Sequence, residues 1–167
     1  MNSQPLVTVY IPSRNYAKYL DNAIQSVINQ MYTNWELYII DEGSNDKTES
    51  IAKKYTLKYP KKIYFIKNKK PIGLQKVANH IIGISKGKYM IRLDADDWFS
   101  EIALITLVNK IESSINASIV YGNYFYTDSE GKILGVEIKD KFGKEDKHGQ
   151  IPPHGACTLF ETRLLKS

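Results

Sequence analysis

Acidic side chains gather in two short runs, Asp41-Glu42-Gly43-Ser44-Asn45-Asp46 and Asp94-Ala95-Asp96-Asp97. Carboxylates this dense repel one another, and such a cluster persists cheaply only where a cation or hydrogen-bond donors compensate it. A hard divalent ion, Mg²⁺ or Mn²⁺, meets that need with oxygen ligands. It commonly takes one or two protein carboxylates together with phosphate oxygens of a bound ligand. The alternation in Asp94-Ala95-Asp96 can aim two carboxylates at one ion while leaving positions open for that ligand. By spacing alone the run is also an ordinary solvated turn, so both readings stand at this point. A third polar group, Pro12-Ser13-Arg14-Asn15, completes the set.

The elements that must position these residues are legible from periodicity. Leu6 to Ile11, Glu36 to Ile40, Ile63 to Ile66 and Tyr89 to Leu93 are short, almost unbroken apolar runs rich in β-branched and aromatic residues, the pattern of strands covered on both faces. Pro12 is expected to stop the first. Between and after them, apolar residues recur at helical spacing: Leu20, Ile24, Val27, Ile28 and Met31; then Leu74, Val77, Ala78, Ile81 and Ile84; then Leu104, Leu107, Val108, Ile111 and Ile115. A less regular helix spans about Asp46 to Tyr59, ending before Pro60. This alternation predicts right-handed crossovers and a layered α/β domain with a mostly parallel sheet flanked by helices. In such sheets ligands collect beyond the carboxyl ends of the strands, where all three polar runs fall and acids from two strand ends should converge. Ser118 to Thr127 and Lys132 to Ile138 flank Asp128-Ser129-Glu130-Gly131 and predict a hairpin. Residues 139–150 read as a mobile polar loop, and Ala156 to Phe160 as a last strand.

Several function classes are disfavoured. The 167 residues suit one domain, with 43% apolar and 25% charged residues and no apolar run near the ~20 residues of a membrane span. The net charge of +5 comes from scattered lysines, a distribution that argues against nucleic acid. The single Cys157 supports neither a disulfide nor a structural zinc and reads as a small buried hydrophobe. An EF-hand loop lacks its glycine and its bidentate acid, phosphate-loop and Gly-x-Gly-x-x-Gly patterns are absent, and Ser13 stands where a phosphatase-type nucleophile would follow the first strand. Without a secretory signal the chain is expected in the cytoplasm, with peripheral association at the inner face of the membrane through a missing region as the other option.

Taken in order, Val7 to Asn15, Leu20 through Ser26-Val27-Ile28-Asn29-Gln30, Tyr32 to Glu36, Ile40 to Thr48 and Gly87 to Asp97 resemble the successive blocks of family 2 glycosyltransferases. The resemblance is strong from Pro5 to Asp97 and continues weakly through Pro152-Pro153-His154. It implies a GT-A fold, a nucleoside-diphosphate sugar donor with UDP-sugar foremost, a divalent metal, and inversion at the anomeric carbon. Pro12 and Ser13, with Arg14 and Asn15, would line the nucleotide pocket, and Glu42 or Asp41 would meet the base edge. Asp94 would lie near the ribose or metal, with Ala95 between it and Asp96, the principal metal ligand. Glu42 stands where the family usually has a second Asp. Arg14 stands where many relatives have an aromatic, and it can stack on a base or reach a phosphate. Gly73, Lys76 and Asn79 also fit the family pattern; Lys76 is either a phosphate contact or a plain helix-surface lysine, and Asn79 either a ligand contact or a helix-to-loop bond.

Asp97 and His154 are candidates for the acceptor or metal side, with a neutral loop histidine as the alternative for His154. Trp98, Phe99 and the tyrosines from Tyr121 to Tyr126 read as core and cover, with an acceptor groove as the other option. One domain over 1–167 is expected, with 1–117 the nucleotide-sugar-binding part and 118–167 an incomplete acceptor-side part. The resemblance places the catalytic base beyond Ser167 and the acceptor among glycans, lipid-linked sugars and proteins. The alternatives are a nucleotide-sugar-binding module without turnover and, less favoured, a nucleotidyltransferase.

Overall fold

The computed structural model describes residues 4–138 and 157–166. Along the chain run β1 (Val7–Ser13), α1 (Ala17–Ile28), β2 (Trp35–Asp41), α2 (Thr48–Lys58), β3 (Ile63–Lys67), α3 (Leu74–Ile84), β4 (Tyr89–Arg92) and α4 (Ala103–Ser113). Then follow β5 (Ile119–Tyr121), β6 (Tyr124–Thr127), β7 (Ile133–Glu137), β8 (Thr158–Glu161) and the single turn α5 (Thr162–Leu165). The main sheet has six strands in the order β3-β2-β1-β4-β8-β5. The first four are parallel, and β8 joins antiparallel to both β4 and β5.

Alternation along the strands sends side chains to two cores. Val7, Val9, Ile11, Leu37, Ile39 and Ile91 pack with Leu20, Ile24 and Val27 of α1, Tyr55 of α2 and Leu104 and Leu107 of α4. Tyr10, Tyr38, Ile40 and Met90 face the other way, onto Val77 and Ile81 of α3. The change of face has a cause. The chain steps outward from β1 through β2 to β3 and must then return past β1 to reach β4. A right-handed crossover made in the reverse direction lies on the opposite face. The reversal puts a topological switch between β1 and β4, where such sheets open a crevice.

Pro12 holds that crevice open. The Tyr10 carbonyl accepts from Leu93 N at 3.0 Å on the β4 side, whereas Ser13 O accepts from Glu42 N at 2.9 Å on the β2 side. Pro12 therefore faces β4 and, lacking an N–H, cannot extend the ladder past the Tyr10–Arg92 pair. Strand β1 continues through Ser13 on its β2 side, so Pro12 interrupts one edge of the strand rather than ending it.

At the amino end of the sheet, Thr8 Oγ1 donates to Glu36 Oε1 at 2.7 Å, and Lys86 N reaches the same oxygen at 2.9 Å. Gly87 N donates to Thr8 Oγ1 at 3.0 Å. A Cβ on Gly87 would lie 2.6 Å from both Thr8 N and Thr8 Oγ1, so only glycine allows this approach.

Two apolar stripes end sooner than periodicity suggests. Helix α1 closes at Ile28, leaving Met31 62% exposed, because Gln30 turns inward and its own side chain takes the Ser26 carbonyl at 3.0 Å. Helix α4 closes at Ser113, with both Ser113 and Ser114 hydroxyls on the Lys110 carbonyl, and Ile115 is 93% exposed. The first arm of the expected hairpin is also divided. β5 joins the main sheet, while β6 pairs with β7 in a separate ribbon closed by Asp128, whose Oδ1 accepts from Glu130 N and Lys132 N. Phe125 and Tyr126 on that ribbon are 60% and 50% exposed, so the aromatic run does not form core, whereas Phe99 is buried. Cys157 packs partly buried against the core, and burial pushes its thiol up. The expected loop at 139–150 and the Pro152-Pro153-His154 segment lie outside the described residues. No helix among the described residues is long and apolar enough to cross a membrane.

Candidate active site

Ser13 and Asp41 are register partners at the carboxyl ends of β1 and β2, and both are buried. Asp41 Oδ1 accepts from Ser44 N at 2.8 Å, closing the turn that Gly43 makes at φ +76°. Asp41 Oδ2 and Ser13 Oγ are buried without a protein partner. Leaving such groups unpaired costs about 1–3 kcal/mol each, and Thr48 Oγ1, Arg92 Nε and Thr162 Oγ1 are likewise buried without a hydrogen-bond partner.

Glu42 is committed differently. One oxygen accepts from the Asn68 side-chain amide, and the other from Ile72 N at 2.8 Å and Gly73 N at 2.9 Å. Its carboxylate anchors the loop after β3 to the end of β2. Gly43 permits the same docking, since a Cβ there would lie 3.1 Å from Lys70 Cα.

The loops after β1 and β2 are laced together. Asn15, at φ +59°, donates its N–H to Ser44 Oγ and accepts from Asn45 N through its side-chain oxygen, both at 3.0 Å. Asp46 accepts from Ala17 N and Thr48 N, each at 2.9 Å, serving the amino ends of α1 and α2 together. Burial pushes the Asp46 carboxyl up, but hydrogen bonds from Thr48 and the Ala17 amide outweigh it and hold it below the usual range. Arg14 is exposed beside this junction, and Lys76 and Asn79 are exposed on α3.

Beyond β4 the chain turns tightly, with Asp97 N on the Asp94 carbonyl at 3.0 Å. Leu93, Ala95 and Phe99 plug into the core shared with α1 and α4, while Asp94 stays half-buried and Asp96 and Asp97 are exposed. Asp94 is held by Arg92: Nε lies 3.0 Å from Oδ1, and Nη2 donates to Oδ2 at 3.2 Å. Tyr10, in register with Arg92, senses both charges. Burial raises its phenol, Arg92 lowers it and Asp94 raises it.

What grips this acidic loop is Ser26 of α1 together with Gln30 just beyond its end. Ser26 Oγ accepts from Phe99 N at 3.1 Å. Gln30, 5% exposed, donates to Ser100 O at 2.7 Å and accepts from Leu104 N at 2.9 Å. A polar pair at i, i+4 on the buried face of an amphipathic helix was the available signal, since such groups must find partners.

The acids therefore share one end of the sheet without converging on one point. Strands β2 and β4 flank β1, so roughly 10 Å separates their ends. Among the described residues no group of three or more His, Cys, Asp or Glu side chains could hold a metal ion. Protein donors, rather than a shared cation, compensate Asp41, Glu42 and Asp94. For a divalent ion that leaves Asp96 and Asp94, a donor set suited to Mg²⁺ or Mn²⁺ only when phosphate oxygens complete the shell.

The sequence matches the family model "Glycosyl transferase family 2" over residues 8–164. An uncharacterised glycosyltransferase of Methanocaldococcus jannaschii is 33% identical over 167 residues, covering 98% of this chain and 57% of that protein. The fold is similar to that of Staphylococcus aureus TarS 1-349 in complex with UDP, at TM-score 0.73 and 18% identity, over 96% of this chain and 48% of that one. It is also similar to the mannosyltransferase PcManGT from Pyrobaculum calidifontis in complex with GDP-Man and Mn²⁺, at TM-score 0.65 and 20% identity, over 71% and 35% of the two chains. The chain spans between 19% and 57% of the length of the curated relatives it matches.

Proposed function

The chain belongs to glycosyl transferase family 2, and from that premise we propose that it binds a nucleoside-diphosphate sugar across the carboxyl ends of β2, β1 and β4 and serves an inverting, metal-dependent sugar transfer. The observation that carries the reading is the buried, unpartnered pair Ser13 Oγ and Asp41 Oδ2. A carboxylate oxygen there calls for an N–H donor, which the imide of uracil or thymine or the amide edge of guanine supplies, and Ser13 can serve a neighbouring carbonyl or hydroxyl. Uridine is favoured because its small base suits a floor formed by one register pair. Arg14, exposed at the rim, is the stacking or phosphate-binding cation.

The diphosphate then lies toward the end of β4, with Asp96 and Asp94 as the ligands that hold Mn²⁺ or Mg²⁺. When bound, that ion supplies Lewis-acid stabilisation of charge on the departing diphosphate. Residues 1–117 are the donor-binding part, and 118–167 begin the acceptor side, for a glycan, a lipid-linked sugar or a protein. Exposed Asp97 and the neighbouring Trp98 border that side.

Calorimetric titration with UDP, GDP, dTDP and their sugars, each with Mn²⁺ and with chelator, tests the reading. At least one nucleotide should bind more tightly with metal, and Asp41→Asn should weaken it by roughly tenfold or more, because an acceptor becomes a donor facing the base N–H. Asn keeps Oδ1 for Ser44 N, so stability should hold. Equal binding with and without metal for every nucleotide would sink the proposal. Donor hydrolysis or transfer abolished by Asp96→Ala marks an enzyme, whereas binding without turnover marks a binding module.

A further inference from the structure

Arg92 faces the same side of the sheet as Tyr10 and Met90 and shares with them an apolar cleft of about 240 Å³, lined also by Ala78, Ile82 and Phe160. Its guanidinium leaves that cleft to meet Asp94: Nη2 donates to Oδ2 at 3.2 Å, while Nε stands 3.0 Å from Oδ1 as a charge contact only, its N–H buried without a hydrogen-bond partner. Side-chain exposure of the two partners is only 24% and 33%, so water screens the pair weakly. A divalent ion arriving alone at Asp94 meets a carboxylate already engaged by a fixed cation. It must displace the guanidinium or bind beside it against its repulsion. A nucleoside diphosphate changes the balance, because its phosphate oxygens attract the ion and can engage both guanidinium nitrogens, which Asp94 does not.

We propose that Arg92 is a positioning residue that makes metal and nucleotide bind together: it neutralises Asp94 in the ligand-free chain and passes to the diphosphate when metal and nucleotide arrive. The proposal rests on the donor-binding reading above and adds to it the group that sets the order of assembly. Asp96, exposed and one residue beyond the buried Ala95, is the first landing point for the ion, and Asp94 joins once Arg92 has moved. No bond is made or broken in this exchange; one ion pair is replaced by two.

The test is Mn²⁺ titration followed by the electron paramagnetic resonance signal of free Mn²⁺, without nucleotide and with saturating UDP or GDP, each corrected for the same titration without protein because the nucleotide itself chelates Mn²⁺, for the wild-type chain, Arg92→Met and Arg92→Lys. The wild-type chain should bind Mn²⁺ weakly alone and on the order of tenfold more tightly with nucleotide. In Arg92→Met the affinity for Mn²⁺ alone should rise by on the order of tenfold, and the gain from nucleotide should be smaller than in the wild-type chain, keeping only the part that phosphate oxygens contribute as ligands. Arg92→Lys, which keeps the charge but loses the fork, should lie between the two and decides the matter if circular dichroism shows Arg92→Met unfolded. If nucleotide tightens Mn²⁺ binding in the wild-type chain and equally in the variants, the role of Arg92 is refuted while the donor site stands. If nucleotide has no effect on Mn²⁺ binding in the wild-type chain, the donor site itself fails and the exchange fails with it.

Discussion

Replacing Gln30 by Leu removes the polar end of a side chain that is 5% exposed while keeping a similar volume. Three backbone groups lose their partner: Ser26 O at 3.0 Å, Ser100 O at 2.7 Å and Leu104 N at 2.9 Å. Each intramolecular hydrogen bond contributes about 1 kcal/mol net, rising to about 3 when the group left behind stays buried. Leu104 N sits in the first turn of α4 and Ser26 O in the last turn of α1, where water can partly replace the lost bonds, and the added apolar carbon offsets a further part. The balance is a destabilisation of about 3 kcal/mol. Urea unfolding should show it as a lower midpoint at unchanged slope, and thermal unfolding as a fall of about 6–12 °C for a domain of this size. A loss below about 0.5 kcal/mol, the level of an ordinary surface substitution, would refute the claim that Gln30 carries this junction.

Gln30→Glu offers a second readout through pH. A carboxylate there would face the Ser26 and Ser100 carbonyls in a buried site, which raises its folded pKa above its unfolded value of about 4.3. The proton-linked stability is then fully present below the unfolded pKa and is lost as pH rises through the folded pKa. The variant should approach wild-type stability near pH 4 and fall behind toward neutrality. A pH-independent deficit would show that the carbonyls are not where the hydrogen bonds place them.

Gly87→Ala should prevent or severely impair folding, since its Cβ would lie 2.6 Å from Thr8 N, Thr8 Oγ1 and Tyr89 O, so that backbone of β1 and β4 would have to yield; soluble expression and a wild-type melting temperature would contradict the approach of these strands. Glu49 accepts from Lys53 at 2.7 Å and pairs with Lys67, and these side-chain bonds hold its carboxyl down at about 2. A folded pKa below the unfolded one means the pair's contribution is present above about 4.3 and is lost as pH falls through 2. The Glu49 carboxyl carbon should titrate in that low range by nuclear magnetic resonance and move upward in 1 M salt, because the group is exposed; a midpoint near 4.3 at low salt would remove the pair.

Periodicity made the strand and helix order legible because burial on both faces of a parallel sheet leaves a local imprint, and Val7 to Ile11 or Leu20 to Val27 show it residue by residue. Their ends were less legible. Gln30 and the Ser113-Ser114 pair end their helices through bonds within one turn, which hydrophobic spacing does not register, and Gln30 is fixed in place by Ser100 and Leu104, far away along the chain. The candidate site was readable as three polar runs at strand ends, and the structure puts all three at one end of the sheet. What those side chains touch was not readable. Glu42 reaches Ile72 and Gly73 because the loop after β3 docks on Gly43, and Asp94 meets Arg92 because extended chain brings i and i+2 to one side.

The amino-acid sequence by itself determined the alternation of strands and helices, the position of the acidic runs at strand ends, and membership of the family, all properties carried by residues near one another along the chain. Tertiary structure alone decided that β4 returns beside β1, opening the crevice that Pro12 keeps from closing, and that β8 enters the sheet between β4 and β5. It also decided that Ser26 and Gln30 grip the loop bearing Asp96, and that Ser13 Oγ and Asp41 Oδ2 are buried without a partner at the ends of β1 and β2. The physical reason is range: hydrophobic periodicity acts over one or two turns of chain, whereas a buried polar group takes whichever partner the strand order brings within about 3 Å.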